Sequence, residues 1–323
     1  MTDPCGSPQT GRPWRIVFFG TPEFALPTLK ALAEGPDEVA LVVTAPPAPA
    51  GRGRKLTPSP VAVAAAEMGL KILEAKSLRD EETLAAIEAA RPDLLVVAAF
   101  GGFLPERLLK LCPYPPLNIH PSLLPRHRGA APVNWCLING DQDSGVSIIF
   151  LEEKMDAGPI LCQRSFPVDS CDSAGCWEAR LAEVGADELL TVIEALKNKT
   201  INPCAQDEAQ ATVNPLLCKG DGRVDWTRPA EELAGLINGV DPWPGAQTSL
   251  QGKGLKVFGA SASAEKAGCG CPPGRVLRLD EDGRLLIQTG AGALALTAFQ
   301  PEGKKRMGAA EFQRGYRPET LGS

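Results

Sequence analysis

Two hydrophobic rhythms divide this 323-residue chain, and the change between them constrains its fold more than any single motif. In the first part, largely apolar runs at 15–19, 39–44 and 94–99 alternate with amphipathic stretches at 23–33 and 81–90. A strand that is apolar at every position must be covered on both faces, and intervening helices supply that cover. The pattern therefore predicts a doubly wound α/β fold with a parallel sheet. A longer helical stretch follows at 177–197, and near Pro203 the rhythm changes. Residues 204–220 read as a polar linker. Beyond them, short apolar segments (LKVFGAS, GRVLRL, GRLLIQTG, GALALTAFQ) alternate with Gly-rich turns, which suits a small β-barrel. The expected organisation is a disordered extension over 1–13, an α/β catalytic domain over 14–203, the linker, and a β domain over 221–323.

Composition excludes several classes. The chain is 44% apolar and 22% charged, as ordinary globular proteins are. No apolar run reaches the length of a membrane span, and the first residues lack a signal-peptide core, so no membrane association is expected. Ten cysteines without an export signal read as free thiols in a reducing compartment, which places the protein in the cytoplasm. Cys269 and Cys271 form the one close pair, and zinc there would need a second pair of ligands; no metal is expected. The net charge of −6 denies the chain a global positive field, so any nucleic-acid contact must use local basic clusters. A monomer is expected.

Both histidines fall within residues 117–132, LNIHPSLLPRHRGAAP. Strand alternation turns Leu117 and Ile119 to one face and Asn118 and His120 to the other. Pro121 then ends the ladder, because it has no N–H to donate, and residues 122–129 become a loop. An amide donor and an imidazole projecting together at a strand end suit a carbonyl that becomes an oxyanion: Asn118 donates a hydrogen bond and His120 moves a proton. After the next apolar strand, SGVSIIF, Asp156 precedes Ala157, Gly158 and Pro159, so its carboxylate sits on a turn that folds back over the strand end. With no nucleophile elbow of the G-x-S-x-G kind, direct acyl transfer fits better than an acyl-enzyme. The plainer alternative is a strand-end Asn and His making ordinary backbone hydrogen bonds. Gly20-Thr21-Pro22 lacks G-x-G-x-x-G, so no dinucleotide is expected.

Taken together, RIVFFGTPEFA at 15–25, PAGRGRKLTPSPV at 49–61, NIHPSLLPRHRGAAP at 118–132, SGVSI with Asp156 beyond it, DPWPGA at 241–246 and QPEGKKRM at 300–307 resemble the folate-dependent formyltransferases over nearly the whole chain. The resemblance implies a Rossmann-like formyltransferase domain followed by an OB-like β-barrel. It also implies transfer of a formyl group from 10-formyltetrahydrofolate to an amine. Asn118, His120 and Asp156 match the family's catalytic trio, and Ser122, Leu123, Leu124 and Pro125 match its tetrahydrofolate segment.

The acceptor is a separate question. The Gly-Arg-Gly-Arg-Lys loop at 51–55 resembles the branch that acts on transfer RNA, and initiator methionyl-tRNA is the acceptor this implies. Arg52, Arg54 and Lys55 would order around phosphates or a splayed terminal base pair, with glycines keeping the loop pliable. Lys219, Arg223, Lys304 and Lys305, with Arg306 beside them, are further candidate contacts. Each cluster could instead be a solubilising patch, and for Lys304, Lys305 and Arg306 the two readings are even. Two rivals stay open: a formyltransferase acting on an amino sugar or glycinamide ribonucleotide, and a non-catalytic RNA-binding protein on the same scaffold. Departures from the family pattern fall at APPAPA before Gly51, at His127 in place of an aromatic, and at Val213 and Leu216 in place of Tyr and Lys. They remove aromatic and basic contacts and leave the trio intact.

Overall fold

A computed structural model describes residues 12–50, 55–169, 172–263 and 270–322. The chain forms two compact units. One holds the described residues up to Arg128 together with Gly145–Ser165 and Ala179–Val213, and the other holds Gly129–Ser144, Phe166–Glu178 and the chain from Asn214 onward.

Mostly within the first unit, β1 (Arg15–Gly20), β2 (Glu38–Thr44), β3 (Ile72–Glu74), β4 (Leu94–Ala98), β5 (Leu117–His120), β6 (Asp143–Phe150) and β7 (Ile160–Pro167) form one sheet in the order β7-β6-β5-β4-β1-β2-β3. The five strands from β3 to β5 run parallel, and β6 joins β5 antiparallel. The chain builds outward from β1 through β2 to β3, then returns to the opposite side of β1 for β4 and β5. That reversal makes a topological switch point, where diverging connections leave room for a ligand at the C-terminal strand ends. Val17, Phe19, Leu41, Val43, Leu95 and Val97 of the sheet share a buried core with Leu84, Ile87 and Leu108. On another part of the sheet, Ile119 meets the helix Ala174–Lys197 at Gly185, where a Cβ would come within 2.6 Å of Ile119 Cγ2.

Three sequence expectations shift at their edges for local reasons. The helix expected at 23–33 begins as a 3-10 turn, Glu23–Ala25, and becomes α-helical only over Leu26–Glu34. Pro27 lacks an N–H and so fits only in the first turn. The strand expected to reach Ala99 stops at Ala98, because Ala99 takes a left-handed φ of 47°. Of the expected disordered extension, residues 1–11 lie outside the described residues. Arg12, expected within it, is instead built into the fold by paired hydrogen bonds of 2.7 and 2.8 Å to Asp93, which also accepts from the Arg15 amide.

The second unit carries β8 (Ala246–Leu250), β9 (Lys253–Ser263), β10 (Val276–Leu279), β11 (Leu285–Gln288), β12 (Ala293–Pro301) and β13 (Met307–Gly308). They pair antiparallel in the order β8-β9-β12-β11-β10, with β13 also on β12. Among the described residues these pairings form an open path. The four segments read as strands are β9 to β12. The helices Ala230–Gly239 and Ala309–Tyr316, absent from the sequence reading, supply Leu233, Ile237, Val240 and Phe312 to a core with Leu255, Val257, Ile287, Leu294, Leu296 and Phe299. The rings of Phe299 and Phe312 stack at 4.3 Å. Buried Asn238 exchanges hydrogen bonds of 2.7 and 3.0 Å with the backbone of Ala260, tying helix to strand. No helix among the described residues is long and apolar enough to cross a membrane.

Candidate active site

β5 and β4 run side by side in parallel, so Asn118 and His120 emerge at the same edge of the sheet as the loop that follows Ala98. His120 is only 4% exposed, and its Nε2 lies 2.8 Å from the backbone carbonyl of His127. A carbonyl can only accept, so this contact assigns the proton of the neutral ring to Nε2. Nδ1 is left for chemistry. It faces Asp156 Oδ2 at 3.7 Å, a separation too long for a direct hydrogen bond, and the two groups attract as an ion pair only when the ring carries its second proton. Asn118, on the same strand face, is 9% exposed, and among the described residues no hydrogen bond takes up its side-chain amide. Two of the three groups singled out in sequence thus meet, with the third two residues along the strand.

The Asp156 turn forms as its Ala-Gly-Pro sequence suggests. Asp156 takes a left-handed φ of 50°, which aspartate tolerates better than most residues. Gly158 then lies directly on β6, where a Cβ would fall 1.9 Å from the carbonyl oxygen of Phe150, so the turn can approach the strand only with glycine there.

The expected folate segment is more inward-facing than its sequence suggests. Ser122 and Leu124 are buried; the Ser122 hydroxyl donates to the carbonyl of Arg126 at 2.8 Å. Fully buried Ser147, opposite His120 on β6, donates to the carbonyl of Ser122 at 2.6 Å and accepts from the Leu124 amide at 3.2 Å. Gln163 donates to both Leu124 O and Ser147 Oγ. These bonds satisfy buried backbone groups and fix the loop, leaving Leu123 and Pro125 as its half-buried members.

Residues 204–213, read in sequence as part of a linker, belong to the first unit. Cys204 pairs with Ile160 through two 2.8 Å backbone bonds. Thr212 accepts from the amides of His127 and Arg128 and donates to the carbonyl of Pro125. Arg128 is buried and forms a bidentate pair with Glu208, which also binds Lys154. Arg128 first, and then Lys154, hold the Glu208 carboxyl down to about 2. Sequence reasoning missed Arg128, the structural use of the His127 carbonyl, and the loop at 99–104, whose Gly101-Gly102 pair was its signal. That loop exposes Phe103 and turns through left-handed Ala99 and Gly101. Cysteine chemistry has no support at Cys162: burial, followed by Glu188, pushes its thiol up to about 11.

Of the candidate nucleic-acid contacts, Arg52 and Arg54 lie outside the described residues. Lys55 is exposed on the short strand Lys55–Thr57, and Lys219, Arg223, Lys304 and Lys305 are exposed in the second unit. Arg306 is more committed: its guanidinium stacks 4.0 Å over Phe258 and lies 3.5 Å from Asp241. Val213 and Leu216 are exposed, whereas His127 is turned inward.

Residues 14–193 match the formyl transferase family, and residues 217–317 match the formyl transferase C-terminal domain. The chain belongs to this family. Among its relatives, the methionyl-tRNA formyltransferase of Desulfotalea psychrophila is 48% identical over 301 residues, covering 93% of this chain and 92% of that protein. The methionyl-tRNA formyltransferase of Geobacter metallireducens is 41% identical over 304 residues, 94% of this chain and 96% of its own. The fold is also similar to HypX from Aquifex aeolicus in complex with tetrahydrofolic acid, with a TM-score of 0.62 at 21% identity. That match covers 94% of this chain but 47% of HypX, so the chain spans about half of that protein.

Proposed function

We propose that this chain is the enzyme that transfers the formyl group of 10-formyltetrahydrofolate to the amino group of initiator methionyl-tRNA, giving N-formylmethionyl-tRNA, and that it works as a cytoplasmic monomer. One observation carries the reading: buried His120 facing Asp156, with an uncommitted Asn118 amide two residues along the strand, in a chain 48% identical to a methionyl-tRNA formyltransferase over nearly its whole length.

The amine nitrogen bonds to the formyl carbon, and the carbonyl electrons move onto oxygen. Asn118 donates to that oxygen, and a proton on His120 Nδ1 is placed to do the same. Asp156 balances the imidazolium charge and receives the proton lost by the amine. As the carbonyl re-forms, the bond from carbon to the folate nitrogen breaks, and a proton relayed from Asp156 through water goes to that leaving nitrogen. Leu123, Pro125 and the exposed Phe103 offer apolar contact to the folate rings, and the buried Ser122 and Leu124 hold the loop that presents them. The amide of Asn118, unpartnered among the described residues, fits an acceptor for the formyl oxygen. Arg52, Arg54 and Lys55 would bind the acceptor end of the RNA, with Lys219, Arg223, Lys304 and Lys305 adding phosphate contacts.

The test is a panel of purified acceptors, namely methionyl-tRNA, an amino-sugar nucleotide and glycinamide ribonucleotide, assayed with 10-formyltetrahydrofolate. The expected product is N-formylmethionyl-tRNA. Formylation of a small amine with methionyl-tRNA inert would assign another acceptor, and RNA binding without turnover would remove the catalytic reading.

A further inference from the structure

We infer that Gln206 is a positioning residue for Asp156, a role that rests on the formyl-transfer reading above. The Asp156 carboxylate must stand against His120 Nδ1, yet its turn lies outside the sheet ladder and passes through a left-handed residue. Gln206 ties this turn to the rest of the unit. Its Nε2 donates to the carbonyls of Asp156 and Gly158, each at 2.7 Å, and so pins the backbone on both sides of Ala157.

The other end of the same amide is also fully used. Gln206 Oε1 accepts from Arg128 Nε at 3.0 Å and Nη2 at 2.8 Å, while Arg128 is locked against Glu208. Two donors and two lone pairs exhaust the hydrogen-bonding capacity of a primary amide, and only one orientation of the group satisfies two carbonyls at one end and a guanidinium at the other. Gln206 therefore has a single defined pose.

The position of Arg128 gives this network its meaning. The residue before it, His127, supplies the carbonyl that holds His120 Nε2. One dipeptide thus reaches both partners of the pair: His127 fixes the imidazole directly, and Arg128 fixes the carboxylate through Gln206. The separation between Nδ1 and the carboxylate is set by this short segment, although His120 and Asp156 lie 36 positions apart.

Gln206→Glu separates the donor function from packing, because it keeps size and the acceptor toward Arg128 but replaces the two N–H donors with a carboxylate oxygen. Gln206→Met, which removes both functions at similar length, is the second variant. Formylation kinetics with methionyl-tRNA and 10-formyltetrahydrofolate should show kcat reduced about tenfold to a hundredfold, with both KM values within about threefold, since misplacing a reacting group by about 1 Å has effects of this size. In an Asp156→Ala background the same substitutions should lower kcat by less than about threefold, because the group they position is gone. Retention of wild-type kcat, loss confined to KM, or the same fold loss in both backgrounds would each overturn the positioning role. Inactivity of the wild-type chain would instead overturn the formyl-transfer reading beneath it.

Discussion

In the first unit several polar side chains around the candidate site are buried and individually tied: His120 to a carbonyl, Arg128 to Gln206 and Glu208, Ser147 to two backbone groups. In the second, the cations proposed to meet nucleic acid stand exposed, and buried Asn238 joins a helix to a strand. The difference follows from desolvation. A buried polar group is costly without its partner, so each such group is specific and its removal is expensive. A solvated lysine is weakly held and screened by salt, so recognition by such groups is collective.

The contrast breaks first at His120. His120→Ala should lower kcat about a thousandfold, within the range of about 10²–10⁴ for a positioned acid–base group; steady-state formylation assays within tenfold of wild type would show that the buried histidine is structural. Asp156→Asn should lower kcat about a hundredfold while donor KM is preserved, and an unchanged turnover would detach the carboxylate from the reaction. Ser147→Ala leaves the Ser122 carbonyl and Leu124 amide without their shared hydroxyl, and should cost about 1–3 kcal/mol in denaturant unfolding. Lys304→Ala with Lys305→Ala should raise KM for methionyl-tRNA a few-fold and make its salt dependence shallower, by about one logarithmic slope unit for each phosphate that is no longer neutralised. A parallel rise in donor KM would place these lysines in the wrong role.

Glu208 gives the smallest expected effect and a signed one. Its carboxyl is depressed from 4.5 to about 2, so its ion pairs favour the folded state above about 4.5, and that contribution fades as the pH falls toward about 2. The stability difference between wild type and Glu208→Gln should be present at pH 7 and shrink through that interval. A difference that grew on acidification would contradict the ion-pair assignment.

Much of the parallel sheet was legible because a strand covered on both sides is written as an unbroken apolar run; β1, β2 and β4 fall within about one residue of expectation for that reason. Asn118 and His120 followed from strand alternation, and Asp156 from the Gly-Pro break after it. Gln206 carried no such signal. It lies in an aperiodic stretch 50 residues from Asp156, and its role exists only once Arg128 has been folded against it. The helix Ala230–Gly239 was missed because Gly235 and Gly239 weaken its local propensity. Both serve packing: a Cβ at 235 would lie 2.5 Å from Leu137 O, and one at 239 would lie 2.7 Å from Ile138 Cγ1. The inward turn of Ser122 and Leu124 depends on Ser147, a partner that alternation within their own segment cannot reveal.

Gly185 ties the back of the sheet to the reactive face. The next atom outward from its backbone would strike Ile119, which lies between Asn118 and His120. A single methyl group there would press the strand from behind and unsettle both reactive neighbours without touching them. A glycine in the helix is therefore a depth stop for chemistry performed on the opposite face.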